Sequence, residues 1–386
     1  MLTRLAGRGR ALSAAASSPR AYTLREVLAH CSLPTAEAAA TTYADVKARC
    51  DEQLARVRAL EAASKKPRGL ATVVALYSGV VDELEAASGL VGDGAADQRL
   101  ATVHRALVSV EQRHALFGPS VVDALKEGAL DESQAALAED CLAAHIGTSL
   151  LLRNHLAAHA PELENPGGSA TPDRGVGAAR ERASVSAAVD AAATEAILLC
   201  EYAYDLLEPP VIAPSGGDVV AFCVPHHVTY VVHELLKNAL VATVERRIRD
   251  HGRDADDDDF PLSPVEVALA EGDGEVVVEV TDRGGGMTED QIATCLALRP
   301  GLARYDRLDD PGGHCNSGSL APISGVGMGL PMAKLYARHF GGGLRLASDL
   351  GAGTTTATVS LPTDVGTPEA LPPPPAAANT PPWGRR

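Results

Sequence analysis

Aromatic residues make up only 3% of the 386-residue sequence, so a core has to be built from Ala, Leu and Val. Basic residues are outnumbered, 34 Lys and Arg against 50 Asp and Glu, for a formal net charge of -16. An acidic surface repels phosphate backbones, which argues against a nucleic-acid partner. No run approaches the roughly eighteen apolar residues of a membrane-crossing helix, so no membrane span is expected. The seven cysteines, at 31, 50, 141, 200, 223, 295 and 315, are odd in number and include no CxxC pair. Reduced thiols fit that pattern better than a disulfide framework or a zinc site, and no His/Cys ligand cluster is expected. What is present is 46% apolar residues, enough for a sizeable core, in a length that suits two domains.

The first 25 residues carry Arg4, Arg8, Arg10, Arg20 and Arg25, many Ala and Ser, and no acid before Glu26. That composition reads as a mitochondrial transit peptide over residues 1–22; a plastid address or a plain basic tail shares it. Arg20-Ala21-Tyr22 resembles the Arg-x-Tyr step of matrix processing. The tail from 364 to 386 is rich in Pro and Ala and is expected to be disordered.

Between these ends the texture changes once. Val46, Cys50, Leu54, Val57 and Leu60 form one helical stripe, and Val73, Tyr77, Val80 and Leu84 a second. Val103, Leu107 and Val110 mark a third helix. Asp131 and Gln134 form a capping box ahead of Leu137, Cys141, Ile146, Leu152 and Leu156. Val185 to Ala203 gives one more helix, closed by Pro209-Pro210. Helices without a strand signal predict an antiparallel bundle over 23–210. From 211 to 363 the pattern mixes a helix at 226–249 with a hairpin at 265–280 turned by Gly272-Asp273-Gly274. A helix at 288–297, a Gly-rich loop at 299–324, a helix at 331–340 and strands at 343–347 and 355–361 follow. The expected fold class is α+β: a helical bundle followed by an α/β sandwich on a mixed sheet.

Three motifs in the second part carry chemistry. In His233-Glu-Leu-Leu-Lys-Asn-Ala239, Glu234 and Asn238 stand four residues apart and share a helix face, with Lys237 beside them. An amide oxygen can ligate Mg2+ and a carboxylate can accept a proton; a solvated polar face has the same spacing. Asp282-Arg-Gly-Gly-Gly286 follows a strand, where Asp282 can accept from an adenine amino group and the glycines let backbone approach a flat base. A plain Gly-rich turn is the alternative there. Gly325-Val-Gly-Met-Gly-Leu330 precedes Pro331 and a helix, a place for backbone N–H groups to meet phosphate oxygens. Gly353-Thr354 opens the last strand. Each is weak alone.

Together, in this order, they resemble the nucleotide-binding (Bergerat-type) fold of the GHKL superfamily, which covers gyrase, Hsp90, histidine kinases and MutL. Glu234-Leu-Leu-Lys-Asn-Ala239, Asp282-Arg-Gly-Gly-Gly286 and Gly329-Leu-Pro-Met-Ala-Lys-Leu-Tyr-Ala337 are most similar to the mitochondrial protein kinases of pyruvate and branched-chain 2-oxoacid dehydrogenases. Arg113-His114, Thr148-Ser-Leu-Leu-Leu-Arg153 and Leu199-Cys-Glu-Tyr202 extend the resemblance into the bundle. It implies a protein-serine kinase of the mitochondrial matrix that uses ATP and Mg2+ and acts on the E1 α-subunit of such a complex. Glu234 would be the general base and Asn238 the Mg2+ ligand. Lys237, Asn238, Asp282, Gly284, Gly286, Gly325, Val326, Gly327, Met328, Gly329, Leu330 and Thr354 would contact nucleotide. The loop at 299–324 would be an ATP lid, and the bundle would dock the lipoyl domain of the E2 core in a homodimer.

The sequence departs from that family at definite points. Val241 stands where Arg is usual, three residues after Asn238, and Tyr230 stands where pyruvate-type members often have His. Ala297-Leu-Arg-Pro300 replaces the Ser/Thr-Ala element of the early lid, and Trp383 lacks the preceding Asp. His233 projects about 100° away from Glu234 around the helix. His104 and His114 lack the neighbouring acid of a phospho-accepting histidine, so structural roles are expected. A catalytically weak ATP-binding adaptor and a histidine-kinase-like protein are the other readings.

Overall fold

The computed structural model describes residues 19–64, 68–91, 96–117, 120, 121, 124, 131–164, 178–204, 206, 211–252, 260–298 and 327–375. The expected lid at 299–324, Gly325, Val326 and residues 376–386 lie outside them.

The first half is helical: α1 (Leu24–His30), α2 (Thr35–Ala63), α3 (Arg68–Val91), α4 (Ala96–His114) and α5 (Glu132–Glu164). The stripe from Val46 to Leu60 on α2 meets Tyr77, Val80 and Leu84 of α3 and Leu107 and Val110 of α4 in one core. Truncating a wholly buried member such as Leu107 to Ala costs about 2–5 kcal/mol. The capping box forms as read: Gln134 N donates to Asp131 Oδ1 at 2.9 Å and Asp131 N to Gln134 Oε1 at 3.0 Å. The stretch Glu132–His159 has a mean hydropathy of 1.3 and is long and apolar enough to cross a membrane. Ala and Gly spread that apolarity too thinly for a continuous run to stand out in the sequence. Half of its most apolar window is packed inside the protein. Its Asn154, His155 and His159 are buried polar groups.

The second half begins earlier than the sequence suggests. Strand β1 (Arg180–Ser184) pairs antiparallel with β3 (Val220–Cys223). Charged Arg180-Glu-Arg gives no alternation, so nothing local announced it. Helix α6 (Val185–Tyr204) follows. Its buried face, Val185, Ala188, Val189, Ala192 and Ala196, shares a core with Val228, Val231 and Leu235 of α7 (Pro225–His251) and Val276 and Val278 of the sheet. The boundary expected at 210 therefore falls inside one packed unit, whose core begins at Ala183.

That unit is a five-stranded sheet in the order β2-β4-β5-β7-β6. Its strands are β2 (Ile212–Ser215), β4 (Val265–Gly272), β5 (Glu275–Asp282), β6 (Gly343–Asp349) and β7 (Thr354–Pro362). β2 runs parallel to β4 and the other pairs are antiparallel. Asp273, at φ 51°, and Gly274, at φ 80°, make the hairpin turn. Val265, Val267, Val276, Val278, Val280 and Val359 alternate onto one face, which α6, α7 and α9 (Gly329–Arg338) cover. Helix α8 (Glu289–Leu296) connects β5 to the lid region.

The tail is the main correction. Residues 364–375 are not free of a core: Glu369 is 4% exposed. Its carboxylate meets Arg49 of α2 through Nη1 at 3.1 Å and Nη2 at 2.5 Å, and lies 3.4 Å from His339 Nε2. Proline-rich composition concealed one carboxylate with two buried partners. Burial raises the Glu369 carboxyl, but the adjacent His339 and the charge and hydrogen bonds of Arg49 outweigh it and hold the group at about 2. The leader's expected end at 22 also cuts into folded chain. Tyr22 is 5% exposed, its N–H donates to Glu369 Oε1 at 2.9 Å, and its hydroxyl donates to Asp45.

Candidate nucleotide site

Helix α7 supplies the polar face that the spacing predicted. Pro225 occupies its first turn, where a missing N–H costs nothing, and Gly252 at φ 89° closes it. Val231, Val232, Leu235, Leu236, Ala239 and Leu240 bury the inner face and so fix the rotation of the helix. Glu234 and Asn238 are thereby held together, and Asn238 Nδ2 donates back to the Glu234 backbone oxygen at 2.5 Å. That bond leaves Asn238 Oδ1 as the ligating atom. An amide oxygen with a carboxylate one turn away is an oxygen donor set of the kind Mg2+ takes, so these residues fit the ion.

Lys237 Nζ stands 2.6 Å from Glu234 Oε2, and both side chains are largely buried. The contact is an ion pair off hydrogen-bonding alignment, so Glu234 Oε2 has no hydrogen-bond donor of its own. Tyr230, one turn before Glu234, packs its ring 4.7 Å from that of Tyr336 on α9. Burial, then the charge of Glu234, pushes the Tyr230 hydroxyl far above its ordinary range, so it stays protonated. His233 points away as expected, to Glu195 of α6 at 3.8 Å.

The two glycine bends close on this face. A Cβ on Gly329 would fall 2.0 Å from Glu234 Oε2, so the start of α9 rests on the carboxylate. Gly327, at φ 78°, makes the bend just before it. Met328 is 5% exposed, and its side chain packs with Leu298 into the bundle core. Leu330 packs against the sheet core.

At the far end, Asp282 is 8% exposed and its Oδ1 accepts from Gly284 N at 2.8 Å. Gly285 and Gly286 take φ of 109° and 78°, which a residue with a Cβ adopts only under strain. A Cβ on Gly284 would lie 2.4 Å from Ala242 Cβ on α7. The ladder pairs Asp282 with Thr355 and pairs Thr354 with Asp349. Directly paired residues share a sheet face, so Thr355, rather than the expected Thr354, is the hydroxyl beside Asp282.

One residue of this arrangement escaped the sequence reading. Arg246 Nη1 donates to the backbone oxygens of Arg283, at 3.0 Å, and Gly353, at 3.4 Å. It ties the Asp282 bend to the Gly353 turn. The only signal was its place two turns after Asn238 on the same helix. Val241 is 3% exposed in the core, so that position offers no cation. His114 is 3% exposed, with Nδ1 2.8 Å from the Tyr77 hydroxyl and Nε2 3.1 Å from His145 O, a structural setting. Burial lowers its imidazole to about 4.

A helix carrying Glu and Asn, a strand-end Asp before three glycines and a glycine bend at a helix start, assembled on this mixed sheet, make an arrangement similar to GHKL nucleotide-binding domains. Residues 223–365 match the histidine kinase-, DNA gyrase B- and HSP90-like ATPase family. The chain is also similar to mitochondrial [pyruvate dehydrogenase (acetyl-transferring)] kinases. The relative from Schizosaccharomyces pombe is 33% identical over 231 residues, 59% of this chain and 50% of that protein. The one from Ascaris suum is 33% identical over 142 residues, 36% of this chain and 31% of that protein. Human isozyme 4 is 34% identical over 131 residues, 34% of this chain and 28% of that protein. The chain thus matches half or less of the length of these curated relatives.

Proposed function

We propose that this chain is a mitochondrial ATP-dependent protein-serine kinase that phosphorylates and inactivates the E1 α-subunit of a 2-oxoacid dehydrogenase complex. The observation that carries the reading is the closure of Gly329 onto Glu234, one turn from Asn238, which puts a proton acceptor and a metal ligand at one point. Phosphoryl transfer asks mainly for positioning and charge neutralisation, and these residues supply both. Mg2+ held at Asn238 Oδ1 would neutralise phosphate charge. Glu234 would take the proton of the attacking serine hydroxyl. Lys237, paired with Glu234, is the nearest cation for phosphate oxygens; its transfer to them would free the carboxylate as a base. Asp282 and Thr355 would read the adenine.

The names of the relatives favour the pyruvate dehydrogenase complex over the branched-chain one, although Tyr230 replaces the histidine frequent in pyruvate-type members. Matrix location, docking on the lipoyl domain of E2 and a homodimer belong to the same proposal. The experiment is incubation of the purified chain with Mg-ATP and each candidate E1, followed by phosphosite mapping. Phosphoserine on E1 α is expected, and Glu234→Gln should lose it by about two orders of magnitude or more while still binding ATP. Unchanged turnover in that variant would remove Glu234 from the base role.

A second reading, an ATP-binding adaptor, is favoured by the buried Val241 in place of a cation. ATP binding without phosphoserine on either E1 would select it.

A further inference from the structure

Three histidines meet in the bundle, away from the nucleotide site. His30 ends α1, and His155 and His159 lie four residues apart on α5, so both rings leave one face of that helix. One ring nitrogen of each lies within 4.8 Å of those of the other two. The ring centroids of His155 and His159 are 5.0 Å apart, and His30 is 6.0 Å and 6.1 Å from them. The pair on α5 was visible in the sequence, but His30 comes to it only through the fold. The expectation that no such cluster exists is therefore overturned.

His155 carries the argument furthest. It is 0% exposed, and neither of its ring nitrogens has a hydrogen-bond partner. A buried polar atom left unsatisfied costs about 1–3 kcal/mol, and native proteins rarely leave one so. The other two rings lie against protein partners, and His159 Nδ1 has Thr35 Oγ1 at 3.5 Å. His30 Nε2 is 3.2 Å from Thr42 Oγ1, and His159 Nε2 is 3.4 Å from the His30 backbone oxygen. Both His159 contacts are long, 3.4 Å and 3.5 Å, so an ion can displace one and leave the other nitrogen on its protein partner, the usual orientation of a metal-ligating imidazole.

We propose that His30, His155 and His159 bind one zinc ion, with water or a threonine hydroxyl completing a tetrahedral shell. Three neutral nitrogen donors with no carboxylate among them suit Zn2+ and its transition-metal neighbours, and not Mg2+ or Ca2+. A Zn–N bond of roughly 2.0–2.1 Å puts the donor atoms about 3.4 Å apart in a tetrahedron, so the rings need only close slightly on the ion. Thr35 Oγ1, 3.5 Å from His159 Nδ1, and Thr42 Oγ1 are the hydroxyls at hand. The site joins α1 to α5 where Asn154 Nδ2 already donates to Val27 O at 2.8 Å, so the ion would fasten the first helix to the bundle.

The test is a Co2+ titration of the full metal-free chain, with Zn2+ as competitor. One Co2+ per chain with tetrahedral visible bands, no thiolate charge-transfer band and displacement by Zn2+ is expected. Both His155→Gln and His159→Gln should weaken uptake at least about tenfold, and Zn2+ should raise the Tm of the unaltered chain but not of either variant. If the variants do not fold, X-ray absorption on the Zn-loaded unaltered chain decides, with three imidazole ligands expected. No uptake, a thiolate spectrum, fewer than three imidazoles or equal affinity in the variants would each overturn the site.

Discussion

Gly329 lacks a side chain because Glu234 already occupies the space one would fill. Gly329→Ala must push either the start of α9 or the carboxylate aside. We expect phosphoryl transfer to drop at least tenfold with the far-ultraviolet circular dichroism unchanged; full turnover would show that the contact is incidental. At this scale the sequence was informative wherever chemistry rests on spacing along one element. Glu234 with Asn238 and Asp282 with its glycines stand where four-residue and strand-end logic put them. It was blind wherever a contact crosses the fold. Arg246, the His30 cluster and the pairing of Thr355 with Asp282 all depend on partners remote in the chain.

Among the elements, α7 does most to build the site, since it carries Glu234, Asn238 and Arg246 and packs Ala242 against the glycine run. Gly284→Ala would set a methyl group 2.4 Å from Ala242 Cβ and 2.8 Å from its backbone carbon. Overpacking of that kind costs about 1–3 kcal/mol, read as a lower denaturant midpoint at unchanged slope. Arg246→Met keeps the length of the side chain but removes the two backbone bonds. Nucleotide affinity should weaken several-fold in calorimetric titration, whereas fold stability changes little, because Arg246 is partly exposed. The long apolar-striped helices and the valine hairpin were legible because their periodicity is local. The four-residue strands β2 and β3 and the charged β1 were not, since each is defined by its neighbour in the sheet and not by its own composition.

Across the whole molecule, the tail holds the bundle to the nucleotide domain. Glu369 binds Arg49 of α2 and His339 beyond α9, and Ala370 N donates to His339 O at 2.7 Å. Glu369→Gln leaves the buried Arg49 without its carboxylate and should cost about 3–5 kcal/mol at pH 7. The folded carboxyl lies at about 2 against 4.5 for the free group, so the unfolded chain binds more protons between those values. Its contribution is therefore complete above pH 4.5 and fades as the pH falls toward 2. The stability gap between the native chain and the Gln variant should narrow over that window by about 3 kcal/mol; a constant gap would mean the clasp is not ionic. The Pro- and Ala-rich composition hid this contact because a single charged residue carries it.

The two extremities of the described chain also grip one another: Tyr22 N meets Glu369 Oε1, Glu369 N donates to Tyr22 O at 2.8 Å, and Thr23 bridges to Pro368. The described backbone is thereby drawn into a ring closed between residues 22 and 369. Neither half can melt without loosening the knot that secures the other, so scanning calorimetry should record one heat-absorption peak, splitting into two once the chain is cut short before residue 364.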